Sequence, residues 1–168
     1  KILDIGTGSG CIAIALAKNI PHAEVSAMDL STEALDIAKK NAANNQVEID
    51  FFQADILKIP ELPHFFDIVV SNPPYVLESE KTLMHANVLQ YEPHVALFVY
   101  DSDPLVYYRV IAALASKRLS HRGSLFFEIN EAKGRDLLEL LLRSGFGKTE
   151  LKKDFLGKDR MIKATYAR

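Results

Sequence analysis

Short apolar runs alternate along the chain with stretches whose apolar residues recur every three or four positions, and the changes of period fall on glycine, asparagine or proline. Lys1 to Ile5 is an apolar run halted by Gly6-Thr7-Gly8-Ser9-Gly10. Cys11 to Lys18 after it suits a helix, giving strand, glycine turn and helix. Glu24 to Met28 predicts a second strand, ended by Asp29. Ser31 can cap a helix that carries Leu35, Ala38 and Ala42 at helical spacing and stops at Asn44-Asn45. Glu48 to Gln53 predicts a third strand and Phe66 to Ser71 a fourth, with Pro60 and Pro63 excluding a regular helix between them.

Asn72-Pro73-Pro74-Tyr75 leaves the fourth strand, and from there to about Ser102 no period is clear. So long a stretch in a compact domain marks a candidate substrate surface or lid. Asp103-Pro104 predicts a helix start, and Leu105, Tyr108, Ala112, Ala115 and Leu119 give that helix one apolar face. Gly123 is expected to turn into a strand over Ser124 to Ile129. Asn130 can cap a last, leucine-rich helix that stops before Gly145. Lys148 to Lys152 and Arg160 to Tyr166 read as strands joined through Asp154 to Asp159, so the sheet is expected to end with an antiparallel strand. Strands alternating with helices imply an α/β fold, a doubly wound and mostly parallel sheet with helices on both faces.

Composition narrows the class. With 168 residues, 48% of them apolar and 25% charged, the chain suits one soluble globular domain. Twenty basic residues against 22 acidic ones give a net charge of -2, so no basic field advertises direct nucleic-acid binding. The single cysteine, Cys11, excludes an internal disulfide and fits a reducing, cytoplasmic setting. The apolar run Cys11 to Ala17 is far shorter than the ~20 residues of a membrane span, so no membrane partner is expected. The chain opens on Lys1 and enters directly on an apolar run, which reads as a fragment. The five histidines, His22, His64, His85, His94 and His121, are scattered, and no pair has ligand spacing; no metal is expected.

In open sheets of this type ligands bind outside the carboxyl ends of the strands, so candidate chemistry is sought there. The first strand delivers Gly6 to Gly10, whose missing side chains let backbone N–H groups approach a ligand at a helix N-terminus, although a tight structural turn gives the same cluster. Cys11 and the lack of a following lysine fit the dinucleotide and P-loop patterns poorly. Asp29 can accept both hydroxyls of a ribose, or simply favour the positive end of the helix after it. Asp55 can accept from an adenine amino group and the Ile56 N–H can donate to a ring nitrogen, though a solvated loop residue reads alike. Asn72-Pro73-Pro74-Tyr75 is the most informative segment: two prolines remove two donors and stiffen the backbone, Asn72 adds a neutral acceptor, and Tyr75 adds a flat face. Such a pocket suits a planar amino group.

Asp4-Ile5-Gly6-Thr7-Gly8-Ser9-Gly10, followed by Asp29, Asp55 and Asn72 to Tyr75, resembles the class I S-adenosylmethionine-dependent methyltransferases that act on a planar nitrogen. Tyr91 to Leu97, Tyr107-Tyr108-Arg109, Glu128-Ile129 and Lys153 to Arg160 resemble the protein-(glutamine-N5) methyltransferases of the HemK/PrmC family over essentially the whole chain. The resemblance implies a seven-stranded Rossmann-like catalytic domain over 1–168, without the family's N-terminal helical domain. It implies S-adenosyl-L-methionine as cofactor, S-adenosyl-L-homocysteine as product, and as partner a class 1 peptide-chain release factor methylated on the glutamine of its Gly-Gly-Gln loop. Asp4, Gly6, Thr7, Gly8, Ser9, Gly10, Asp29, Asp55, Ile56 and Asn72 would hold the cofactor; Asn72, Pro73, Pro74 and Tyr75 would hold the substrate amide, with Asn72, Pro73 and Tyr75 catalytic. Two departures stand out: Phe98 to Leu105 replaces a glycine-rich stretch, and Asn130 stands where glycine is common. A ribosomal protein substrate, adenine-N6 methylation and a non-catalytic cofactor-binding module remain alternatives. Lys148 to Lys153 could meet a negative partner or be a solvated face.

Overall fold

The computed structural model describes residues 1–59, 61–83 and 94–166. Seven strands form one sheet in the order β3-β2-β1-β4-β7-β9-β8: β1 (Ile2–Ile5), β2 (Val25–Asp29), β3 (Asp50–Gln53), β4 (Phe66–Ser71), β7 (Leu119–Glu128), β8 (Phe146–Lys153) and β9 (Asp159–Tyr166). The first five of that order are parallel. The helices are α1 (Cys11–Asn19), α2 (Thr32–Asn44), the single turn α3 (His94–Leu97), α4 (Val106–Arg118) and α5 (Gly134–Arg143).

All four residues of β1 are buried, as a central strand covered on both faces requires. Its side chains alternate between two apolar clusters. Ile2 packs with Ala13 of α1 and with Val25 and Ala27. Leu3 and Ile5 join the larger cluster that contains Tyr108 and Ile111 of α4 and Leu137 and Leu141 of α5. The doubly wound architecture expected from the alternation of elements is thereby present.

The expected antiparallel C-terminal strand is present: β9 pairs antiparallel with β7 and inserts between β7 and β8. Ile162 and Ala164 make β9 the apolar member of the hairpin, and lysine-rich β8 takes the wet edge. β7 starts at Leu119 rather than after Gly123, and its register on β4 jumps from Phe66–Leu119 to Ile68–Ser124. Residues 120–123 bulge out, with Arg122 at φ 60° and Gly123 so close that a Cβ would lie 2.9 Å from the Ser120 carbonyl. Helix α4 opens at Val106 with no side-chain cap; Asp103 pairs with Arg109 instead. Asn130 caps a 3-10 turn, Glu131–Lys133, that leads into α5. The stretch without period contains a small two-stranded sheet of β5 (Val76–Leu77) and β6 (Phe98–Val99) and a 3-10 helix, Glu78–Leu83. Tyr91-Glu92-Pro93 and His85 lie outside the described residues.

Candidate active site at the carboxyl edge of the sheet

Register places the candidate residues. Ile5 pairs with Met28 on one side and Ser71 on the other, Met28 pairs with Phe52, and Ser71 pairs with Phe127. One step further along each strand stand Gln53, Asp29, Gly6, Asn72 and Glu128, a single row across five parallel strands at spacings of about 4.8 Å. Between β1 and β4 the strand order reverses direction, which opens the crevice where such sheets take ligands. The buried Ser71 hydroxyl closes the floor of that crevice by donating to the Ile5 carbonyl at 2.7 Å.

The glycine turn divides its labour. Gly6, Gly8 and Gly10 all adopt positive φ, 70°, 55° and 83°, which an L side chain strains to reach. A Cβ on Gly6 or Gly8 would meet nothing within 4 Å, whereas one on Gly10 would press on Ala38 at 3.1 Å and Ile14 at 3.2 Å. Gly10 therefore lets α1 and α2 approach, while Gly6 and Gly8 leave open room. Most of the turn's N–H groups already have acceptors: Gly6 and Thr7 donate to the Met28 carbonyl, Gly8 to Asp29 and Gly10 to Thr7. Among the described residues, those left to offer are the N–H groups of Ser9, Cys11 and Ile12, at the opening of α1. The expectation that the whole run presents donors thus narrows to three.

Asp4 lies beneath this turn, fully buried. Its Oδ2 accepts from the Thr7 hydroxyl at 2.7 Å and the Ala13 N–H at 3.2 Å, and its Oδ1 has no partner. Burial outweighs those two bonds and, with the Asp29 carboxylate near, pushes its carboxyl up to about 6. An orphaned buried acceptor beside open glycines suits a ligand that brings a cationic donor. Asp29 holds Gly8 through Oδ2 at 2.8 Å and Ser31 through Oδ1 at 3.0 Å. Each oxygen keeps a lone pair for a further donor. Asp55 accepts from Lys58 at 2.9 Å and the Leu57 N–H at 3.0 Å, bonds that hold its carboxyl below the usual range. Ile56, next to it, packs on the core.

At the exit of β4, Pro73 is buried and Pro74 and Tyr75 half-buried, while Asn72 is exposed and its amide bonds to no described residue. The Tyr75 hydroxyl donates to Glu128 Oε1 at 2.8 Å, and burial together with that carboxylate pushes the phenol up to about 12. Tyr108 donates to the Glu128 carbonyl at 3.0 Å. Asn130 donates to the Tyr75 carbonyl at 3.3 Å and to Glu80 at 3.1 Å, tying the exit of β4 to the chain that follows it. Tyr107 sits close enough to Asp55 and Tyr100 for their charges to raise its phenol, after burial itself. Sequence reasoning reached Glu128 only through family resemblance and gave Asn130 only a capping role. Asking what β7 delivers at its carboxyl end, as was asked of the first four strands, finds both. Among the described residues no three His, Cys, Asp or Glu side chains gather as metal ligands. No helix among them is long and apolar enough to cross a membrane.

The family model of the methyltransferase small domain matches residues 1–95, more than half of the chain. The chain belongs to that family. It is 56% identical to a release factor glutamine methyltransferase of Flavobacterium psychrophilum over 99% of this chain and 58% of that protein. A release factor glutamine methyltransferase of Bacteroides thetaiotaomicron is 48% identical over 98% of this chain and 59% of its own length. The chain thus spans rather more than half the length of these two curated relatives. In fold it is similar to a methyltransferase from Pyrococcus furiosus, with a TM-score of 0.72, 17% identity, and coverage of 99% of this chain and 75% of that one. The architecture is that of S-adenosylmethionine-dependent methyltransferases.

Proposed function

We propose that this methyltransferase domain moves a methyl group from S-adenosylmethionine to the side-chain amide nitrogen of a glutamine in a peptide-chain release factor. The observation that carries the reading is the exposed Asn72 amide, unpaired among the described residues, on a rigid diproline exit one strand away from the glycine turn. The relatives named above lend the substrate. Asp4, the turn from Gly6 to Gly10, Asp29, Asp55 and Ile56 are the residues that would hold the cofactor, with Asn72 at the boundary. When bound, S-adenosylmethionine supplies a sulfonium methyl group and leaves as S-adenosyl-L-homocysteine.

An amide nitrogen is a poor nucleophile because its lone pair is delocalised into the carbonyl. If the Asn72 oxygen and the Pro73 carbonyl accept its two N–H groups, they orient the nitrogen and stabilise the positive charge that develops on it, which is discharged when one of the two N–H protons leaves to water. Tyr75 offers its ring to the flat amide, and the bond to Glu128 fixes the plane of that ring. With its phenol at about 12, Tyr75 stays a neutral donor at neutral pH. Residues 1–168 are read as the catalytic part, working in the cytoplasm on a protein.

The test follows labelled methyl from S-adenosylmethionine into a release factor, its Gly-Gly-Gln→Gly-Gly-Ala variant, a ribosomal protein mixture and duplex DNA, with mass spectrometry to place the label. Label on the release factor that vanishes with the glutamine supports the reading; label on adenine overturns it. Asn72→Ala should cut turnover by about 10² to 10³, the loss typical of one aligned polar group, with cofactor affinity kept. Near-normal turnover in that variant would remove Asn72 from the chemistry.

A further inference from the structure

The hairpin between β8 and β9 carries a feature that the cofactor and amide sites leave unused. Phe155 is 97% exposed and Leu156 70% exposed, side by side at the tip. An apolar pair this bare usually belongs to a floppy loop, yet this tip is pinned. Asp154 Oδ1 accepts from the Leu156 N–H at 2.9 Å and the Lys158 N–H at 3.1 Å. The Asp154 N–H donates to the Lys158 carbonyl at 2.8 Å, and Lys153 reaches the Gly157 carbonyl at 3.0 Å. Gly157 supplies the left-handed residue, φ 81°, that closes the turn. Two apolar side chains held stiffly in water lose little further freedom when a partner covers them.

The tip adjoins the amide site. β9 runs antiparallel to β7, so its start lies beside the end of β7: Glu128 pairs with Met161, and the Ile129 N–H donates to the Arg160 carbonyl. Arg160 joins the tip to the end of β7, since its guanidinium reaches Asp154 Oδ2 at 3.3 Å and donates to the Ile129 carbonyl at 3.4 Å, next to Glu128, which accepts from the Tyr75 hydroxyl. The charge around the tip leans positive: Asp154 and Asp159 are at 15% and 29% side-chain exposure, while Lys152, Lys153 and Lys158 stand exposed around Phe155 and Leu156, with Lys153 paired to Asp159 and Lys158 to Glu131.

We infer that the Phe155–Leu156 tip is a docking element for the protein substrate, seating in an apolar cleft with an acidic rim close to the acceptor glutamine. This rests on the proposed methyl transfer for the identity of the partner. The tip lies away from the glycine turn, so it adds affinity for an intact protein and nothing to the cofactor.

The test compares the protein with the double variant Phe155→Ser, Leu156→Ser, and with Leu142→Ser, an exposed residue on α5, as control. Four quantities are read: affinity for an intact release factor by calorimetry, KM and kcat for methyl transfer to it, and affinity for S-adenosylmethionine. The expected result is a rise of about tenfold or more in Kd and KM for the release factor in the double variant, as for loss of a central apolar anchor. Its kcat and cofactor affinity should stay unchanged, and the control should show no change. Unchanged Kd and KM in the double variant overturn the docking role while leaving the methyl transfer intact. Binding that depends on the tip without any methyl transfer supports docking and overturns the proposed reaction. No binding of the release factor by the unaltered protein overturns the docking role as stated.

Discussion

Asp4→Asn separates what folding asks of the glycine turn from what its ligand asks. Asp4 is buried with one oxygen unpaired, and its carboxyl sits at about 6 in the folded chain against the usual 3.8. Between those two values the folded state holds a proton that the unfolded state has released. The stability contributed by this group is thus fully present below about 3.8 and is lost as pH rises through about 6. At 1.36 kcal/mol for each tenfold change, the full loss is about 3 kcal/mol, of which about 1.4 kcal/mol falls between pH 5 and pH 8. Asparagine carries no charge to bury, and its oxygen still accepts from Thr7. Urea denaturation at pH 5 and pH 8 should therefore show the variant gaining about 1.4 kcal/mol on the parent as pH rises, whatever constant offset the lost second oxygen adds. The same variant should bind S-adenosylmethionine about tenfold or more weakly, because the orphaned acceptor loses the charge that suits a cationic donor. A stability difference equal at the two pH values would refute the assignment of Asp4 as a carboxylate strained by burial.

The two roles found within the turn also separate in mutants. Gly10→Ala meets a positive φ and contacts at 3.1 and 3.2 Å, so urea unfolding should show a loss of about 2–4 kcal/mol. Gly8→Ala, with open space around it, should lose only about 1–2 kcal/mol, and equal losses would contradict the division of labour. Ser31 accepts from the Ala34 N–H at 3.1 Å, so Ser31→Ala should lower stability by about 1 kcal/mol in the same assay while leaving the carboxyl edge of the sheet unaltered by amide exchange.

Local chemistry made much of this protein legible in its sequence. The glycine cluster after Ile5, Ser31 before a helical repeat, the run Phe66 to Ser71 and the break at Asn72-Pro73 are decided by backbone sterics, capping and side-chain period. All act over a few residues, and all appear in the structure where they were expected. The doubly wound class follows from alternation alone. Only the tertiary structure decided the rest. The register that sets Gln53, Asp29, Gly6, Asn72 and Glu128 in one row depends on pairings between residues 23 to 66 positions apart. The tie from Tyr75 to Glu128 spans 53 residues, and that from Asn130 to the Tyr75 carbonyl spans 55. Most N–H groups of the glycine turn are spent on Met28 and Asp29 rather than left for a ligand, a fact hidden until the second strand lies beside the first. The placement of β9 inside the sheet, and with it the start of β9 beside the end of β7, is settled by which strand of the hairpin can be buried. Sequence specifies what each strand carries to its end; long-range packing decides which of those ends meet.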